Sequence, residues 1–114
     1  MNYKQVLSVS TDIAYLLLKY GAEVYRAEQS IKYICTSYGF TDIDVLAIPS
    51  SVIVTISIGD DYITKTKRIK QNIINLEKIE MLIDLSRYIC ENKPAFEEIE
   101  KKIEDIWRKN LVKC

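Results

Sequence analysis

The sequence contains no histidine among its 114 residues. Because imidazole is the commonest general base and the commonest metal ligand, this absence excludes a Ser-His-Asp triad and a Cys-His nucleophile pair. Cysteine is scarce, with Cys35, Cys90 and Cys114 far apart and no Cys-x-x-Cys spacing. We therefore predict no metal site and no cofactor, and we interpret Cys35 and Cys90 as small core residues in a reducing compartment.

Long apolar runs are also missing, since no segment approaches the roughly 20 apolar residues of a membrane-spanning helix. The N-terminal stretch MNYKQVLSVSTD is polar and does not resemble a signal peptide. We therefore expect a single soluble, cytoplasmic domain over residues 1–114. Sixteen basic residues balance sixteen acidic ones, and this neutral charge does not favour nucleic acid as a partner.

Apolar residues at helical spacing predict two helices in the first third of the chain, over residues 3–20 and about 22–38. Gly21 separates them as a break or tight bend, because glycine weakens a helix interior. Gly39 follows the second helix, as expected for a left-handed C-terminal cap.

The middle of the chain changes to β-branched residues in two-residue alternation, in DIDVLAI, SVIVTISI and YITKTKRI. Pro49 lies in the turn between the first two strands, and residues 59–61 read as a hairpin turn. Helical spacing returns after Asn75, a good N-cap, and Pro94 suits the first turn of a fourth helix. The order predicts an α+β fold: two N-terminal helices, a three-stranded antiparallel meander, and two C-terminal helices packed on one sheet face.

Three charged residues, Glu23, Arg26 and Glu28, open the second helix. They are interpreted either as a solvated face, with a surface pair between Glu23 and Arg26, or as a polar cluster in which Arg26 holds a carboxylate. Because apolar residues flank it, we predict Arg26 to be partly buried and paired with Glu23, Glu28 or a carbonyl. Arg26→Ala should then lower the melting temperature clearly, whereas Lys67→Ala should not.

The stretch ITKTKRIKQN, which begins in the third strand, carries a basic run: Lys65, Lys67, Arg68 and Lys70. We interpret it as an edge strand protected by lysines, with a patch for anions or lipid headgroups as the alternative. Too few aromatic residues interleave with it for a nucleic-acid surface.

The stretch GAEVYRAE, at residues 21–28, resembles the opening signature of the threonine/serine exporter (ThrE-like) family. Further matches follow in the family's order. They are the helix ended by Gly39, the Pro-x-small turn at 49–51, the Thr-x-x-x-Arg strand of Thr64 and Arg68, and the helix start at Asn75 and Leu76. The resemblance covers about residues 15–107.

In that family this region is the cytoplasmic N-terminal domain, and membrane helices that export threonine, serine or small dicarboxylates follow it. The resemblance implies an accessory domain at the cytoplasmic face of the cell membrane, with a transmembrane part in the same or a separate chain as its partner. Since the sequence lacks a catalytic set of residues, we expect this domain not to be an enzyme. It implies ligand-binding or gating roles for one set of residues: Glu23, Arg26, Glu28, Ser50, Ser51, Thr64 and Arg68. It implies structural roles for another: Gly21, Gly39, Pro49 and Asn75.

Two other hypotheses stay open. A stand-alone sensing module would hold a small amino acid or carboxylate between Arg26 and Arg68, which must then converge on one pocket. A hydrolase would use Ser50 or Ser51 as nucleophile with Lys65 or Lys67 as base, although a polar turn explains both serines more simply. Assembly into a homo-oligomer is also left open.

Overall fold

The computed structural model describes residues 3–109, so Cys114 lies outside the described residues. The elements follow the predicted order and confirm the α+β class. In chain order they are α1 (Tyr3–Lys19), α2 (Val24–Ser37), β1 (Ile43–Ile48), β2 (Ser51–Ile58), β3 (Asp61–Arg68), α3 (Leu76–Asn92) and α4 (Phe96–Arg108).

The three strands form an antiparallel meander in the order β1-β2-β3. Alternation along β2 turns Val52, Val54 and Ile56 to one face, where all three are fully buried. Gly59 has φ +61 between β2 and β3, which fits the first central position of a type II′ hairpin turn. The sheet therefore has one face in the core and one open face.

Helices α1 and α2 lie against the buried sheet face. Helix α3 packs against α1 and α2, and α4 packs against α1 and α3, so neither lies on the strands. The class and order were predicted correctly, but the placement of α3 and α4 directly on the sheet was not. Three strands about 4.8 Å apart are roughly 10 Å wide, and one helix with its side chains is about 10 Å across. Two helices already cover this sheet, so the second pair forms a further layer.

Helix α1 is the centre of the core, since it contacts α2, α3, α4 and two strands. Its apolar side chains point in several directions, and Val6, Ile13 and Leu17 are fully buried. Burial of one such side chain stabilises the fold by about 1.5–3 kcal/mol. Because α1 contacts both the sheet and the C-terminal helices, a change in its packing affects both.

The bend between α1 and α2 is closed by the segment that precedes α3. Gly21 has φ +94, and a Cβ at this position would lie 3.2 Å from Cγ1 of Ile74. The N–H of Asn75 donates to the carbonyl of Tyr20 (3.0 Å), and the Asn75 side chain accepts from the Lys78 N–H (3.1 Å). One asparagine therefore caps α3 and joins its start to the end of α1.

Two further turns use the residues that the sequence singles out. Gly39, at φ +98, follows the C-cap of α2, and its N–H donates to the carbonyl of Thr36. Pro49 lies in the turn between β1 and β2. Pro94, however, lies outside α4 and not in its first turn, because the N-cap Ala95 has ψ 143 and is still extended.

Candidate functional site

The charged cluster at the start of α2 lies at the surface. Arg26 Nε is 3.7 Å from Glu23 Oε1, and the two side chains are 44% and 70% exposed. The expected pairing with Glu23 is therefore present, but the predicted burial of Arg26 is wrong. The buried stripe of α2 runs through Ala27 and Ile31, and a helix turns by about 100° per residue, so residue 26 falls on its flank.

Glu28 is half-buried and forms no ion pair within the described part of the chain. Residues two apart on a helix point to opposite sides, so Glu28 and Arg26 cannot share a contact. The predicted alternative of a pair between Arg26 and Glu28 is therefore wrong.

Arg26 lines an open groove of about 740 Å³ between α2 and α3. At its base the hydroxyl of Ser30 donates to Ser86 Oγ at 3.0 Å, and both serines are buried. Arg87 of α3 also lines the groove, and its Nη1 is 3.7 Å from Asp84 Oδ1. Other lining residues are Lys32, Tyr33, Ile83, Cys90 and Glu91.

Sequence reasoning missed Arg87, Lys32 and the two serines of this groove. Each helix shows them as ordinary polar positions, and only the packing of α2 on α3 brings them together. The sequence did hold one signal for this groove. Each helix has a serine inside its apolar stripe, Ser30 in α2 and Ser86 in α3.

The two described thiols are poor nucleophiles. Burial raises the pKa of Cys90, although a hydrogen bond with Ser37 and the nearby Lys93 charge oppose this. Burial also raises the pKa of Cys35, which is fully buried. Because the thiolate is the reactive form, both side chains are protonated and weakly reactive near neutral pH.

Three other residues of the predicted site lie on the open sheet face. Ser51 stands opposite Arg68 in the β2–β3 register, and Thr64 shares a 2.8 Å hydroxyl–hydroxyl hydrogen bond with Thr55. Arg68 is therefore on the sheet surface turned away from the helices, whereas Arg26 lines the groove between α2 and α3. The predicted convergence of Arg26 and Arg68 on one pocket is wrong.

The contacts of Ser50 and Ser51 belong to the β1–β2 turn and to the sheet. Ser50 is exposed in the β1–β2 turn, and its carbonyl accepts from the Ile69 N–H at 2.8 Å. The cross-strand neighbour of Ser51 is Arg68, a permanently protonated side chain that cannot act as a base. Lys65 and Lys67 stand opposite the buried residues Val54 and Val52, on the other face of the sheet from Ser51. The geometry therefore gives no support to a hydrolytic serine at either position.

The basic run on β3 divides between the two sides of the strand. Lys67 turns toward α1, where its Nζ lies 3.2 Å from Asp12 Oδ1 and 4.8 Å from the centre of the Tyr15 ring. Arg68 turns to the open face. The strand is an edge strand, as predicted, but Lys67 joins it to a helix and is not merely solvated.

A family model described as ThrE, putative threonine/serine exporter, matches residues 8–112. The chain belongs to this family. No curated protein and no solved structure matches the chain.

For this member of the exporter family, two negative findings apply to residues 3–109. None of the helices there combines the length and the apolar character that crossing a membrane requires. The same residues contain no group of three or more Asp, Glu or Cys side chains that could hold a metal ion. The family is described by transport and not by catalysis.

Proposed function

We propose that this chain is the accessory, cytoplasmic part of a threonine/serine exporter and acts with a transmembrane part in the same or a separate chain. The observation that supports the proposal most strongly is the family model, which spans residues 8–112 and so nearly all of the sequence. The exported solute is threonine or serine, or a small dicarboxylate.

The exposed pair of Glu23 and Arg26 supports a role in contact with the transmembrane part. At 3.7 Å and with both side chains in solvent, such a pair contributes only about 0–1 kcal/mol to folding. Its charges are consequently free to form new contacts at little cost to the fold. We infer that they engage the transmembrane part and help to gate it.

The natural reading frame and its neighbours give the first test. The proposal expects membrane-spanning helices to be encoded either after this domain or by an adjacent gene. A gene that encodes this domain alone, with no membrane-protein gene beside it, would contradict the exporter role and favour a stand-alone module.

Where the two parts are separate chains, co-purification tests their contact. Both genes are expressed together, this chain carries an affinity tag, and the recovered membrane protein is quantified. We expect Arg26→Glu to reduce recovery, because it reverses the exposed charge. Arg108→Glu is the matched control, since Arg108 is also exposed and pairs with its helical neighbour Glu104 at 3.0 Å. Equal recovery with both variants would contradict a contact through Arg26.

A further inference from the structure

We propose that the groove between α2 and α3 is a binding site for a small organic carboxylate. Three cationic side chains line the groove: Arg26, Lys32 and Arg87. Among the described lining residues, Glu91 is the one acid. Glu23 and Asp84, which lie outside the lining, partly neutralise Arg26 and Arg87. The guanidinium groups still offer the paired N–H donors that a carboxylate ligand uses.

The two arginines are held loosely enough to accept a ligand. Arg26 and Arg87 each have one acidic neighbour three residues back, Glu23 and Asp84, and both pairs are 3.7 Å apart and exposed. A guanidinium donates two parallel N–H groups to a carboxylate in the fork geometry that these long contacts lack. A ligand carboxylate can therefore replace either acid with a better hydrogen-bonding arrangement.

The base of the groove suits the rest of such a ligand. Ile83 and Cys90 supply apolar surface, and beside them lie the hydrogen-bonded hydroxyls of Ser30 and Ser86. Each hydroxyl has one donor and two acceptor positions, so this single bond leaves capacity for a polar ligand group. The volume of about 740 Å³ falls within the range of roughly 300–1,000 Å³ typical of small-molecule sites.

A ligand bound in the groove would also affect the exposed pair of Glu23 and Arg26 at the start of α2. A carboxylate on Arg26 competes with Glu23, so ligand binding frees that acid. This consequence rests on the proposed exporter role, in which the pair contacts the transmembrane part. The binding itself does not, and it can be measured on this chain alone.

Calorimetry with succinate and L-threonine, each at up to millimolar concentration, tests the site directly. L-threoninamide serves as a ligand control because its carboxylate is replaced by a neutral amide. We expect heat with succinate, with L-threonine or with both, and none with the amide. The compound that binds, succinate or L-threonine, shows whether the ligand is a dicarboxylate or an amino acid.

Variants then place the ligand in the groove. Arg26→Gln and Arg87→Gln should each weaken binding by about tenfold or more, because each removes charged hydrogen bonds. Arg108→Gln should leave the affinity unchanged. Since all three side chains are exposed, thermal melts of the variants should stay close to wild type. Unchanged melts show that a lost affinity does not come from unfolding.

Protection of Cys90 gives an independent readout of the site. In a Cys114→Ser background, Cys90 is the half-exposed thiol and Cys35 is buried. At mildly alkaline pH, where more of the thiol ionises, bound ligand should slow modification of Cys90 by an excess of thiol reagent. This slowing should disappear in the Arg26→Gln, Arg87→Gln double variant.

Any of three results overturns the proposal: no binding of either carboxylate, equal binding of L-threoninamide, or full affinity in the double variant. None of these results affects the exporter role, because threonine efflux measures that role without reference to the groove. Loss of efflux with carboxylate binding retained would reject the exporter role and leave the groove site standing.

Discussion

Lys67 should matter more for stability than Arg26, which reverses the expectation from the sequence. Lys67 joins β3 to α1 through Asp12 at 3.2 Å, with side chains 40% and 32% exposed, and lies over the Tyr15 ring. Arg26 has a 3.7 Å pair and a ring contact at 5.9 Å with its own neighbour Tyr25. Only the first set of contacts joins two elements that are distant in sequence.

The magnitudes follow from these contacts. For Lys67→Ala, a half-exposed ion pair accounts for about 0.5–1 kcal/mol and the cation–π contact for about 0.5–1 kcal/mol. The expected loss is therefore about 1–2 kcal/mol. For Arg26→Ala the exposed pair accounts for about 0–1 kcal/mol, and alanine recovers a little through its helix propensity. In a domain of this size, 1 kcal/mol lowers the melting temperature by roughly 4 °C.

Urea unfolding followed by far-UV circular dichroism measures both variants. Lys67→Met separates the charge from the packing, because it keeps most of the aliphatic stem, and a double-mutant cycle with Asp12→Ala isolates the ion pair. We expect Lys67→Ala to lose more stability than Arg26→Ala, and a measurable coupling to Asp12. A larger loss for Arg26→Ala would refute this account of the two sites.

The other predictions concern the segment around α3. Asn75→Ala should cost about 1 kcal/mol in urea unfolding, because it removes the hydrogen bond to the Lys78 N–H that caps α3. Gly21→Ala should melt lower than Gly39→Ala: both glycines have positive φ, but only the new Cβ at position 21 meets Ile74. Burial, helped by the Lys19 charge, lowers the folded pKa of Lys78 below 10.5, so the unfolded state binds more protons between the two values. The free energy of unfolding of wild type should therefore rise relative to that of Lys78→Met as pH increases through the folded pKa toward 10.5.

The helices and strands could be predicted from the sequence because their patterns are local. The apolar spacing of α1, the alternation along β2, and the cap residue Asn75 each act within a few residues. The predicted first helix, residues 3–20, ends within one residue of the observed Tyr3–Lys19. The layer arrangement was harder to predict, because it depends on how many helices fit on a three-stranded sheet. That number follows from the widths of the sheet and the helices, not from any local pattern.

The candidate site depends on packing and was accessible only in part. The sequence singled out Arg26, but it could not show that residue 26 lies on the flank of α2 or that Arg87 faces it across the groove. Arg68 was grouped with Arg26 because the family resemblance includes both. The alternation along β3 sends Arg68 to the open sheet face, and no local pattern shows on which side of the fold that face lies.

Threonine efflux tests the central claim, that this chain serves a threonine/serine exporter, most directly. Cells that carry the natural gene with its membrane partner are loaded with a threonine-containing dipeptide, and external threonine and serine are followed over time. We predict that removal of residues 1–114 lowers efflux, that restoring them recovers it, and that Arg26→Glu recovers it less well than Arg108→Glu. Efflux that is the same with and without this chain, while the membrane partner remains at equal abundance, would contradict the account.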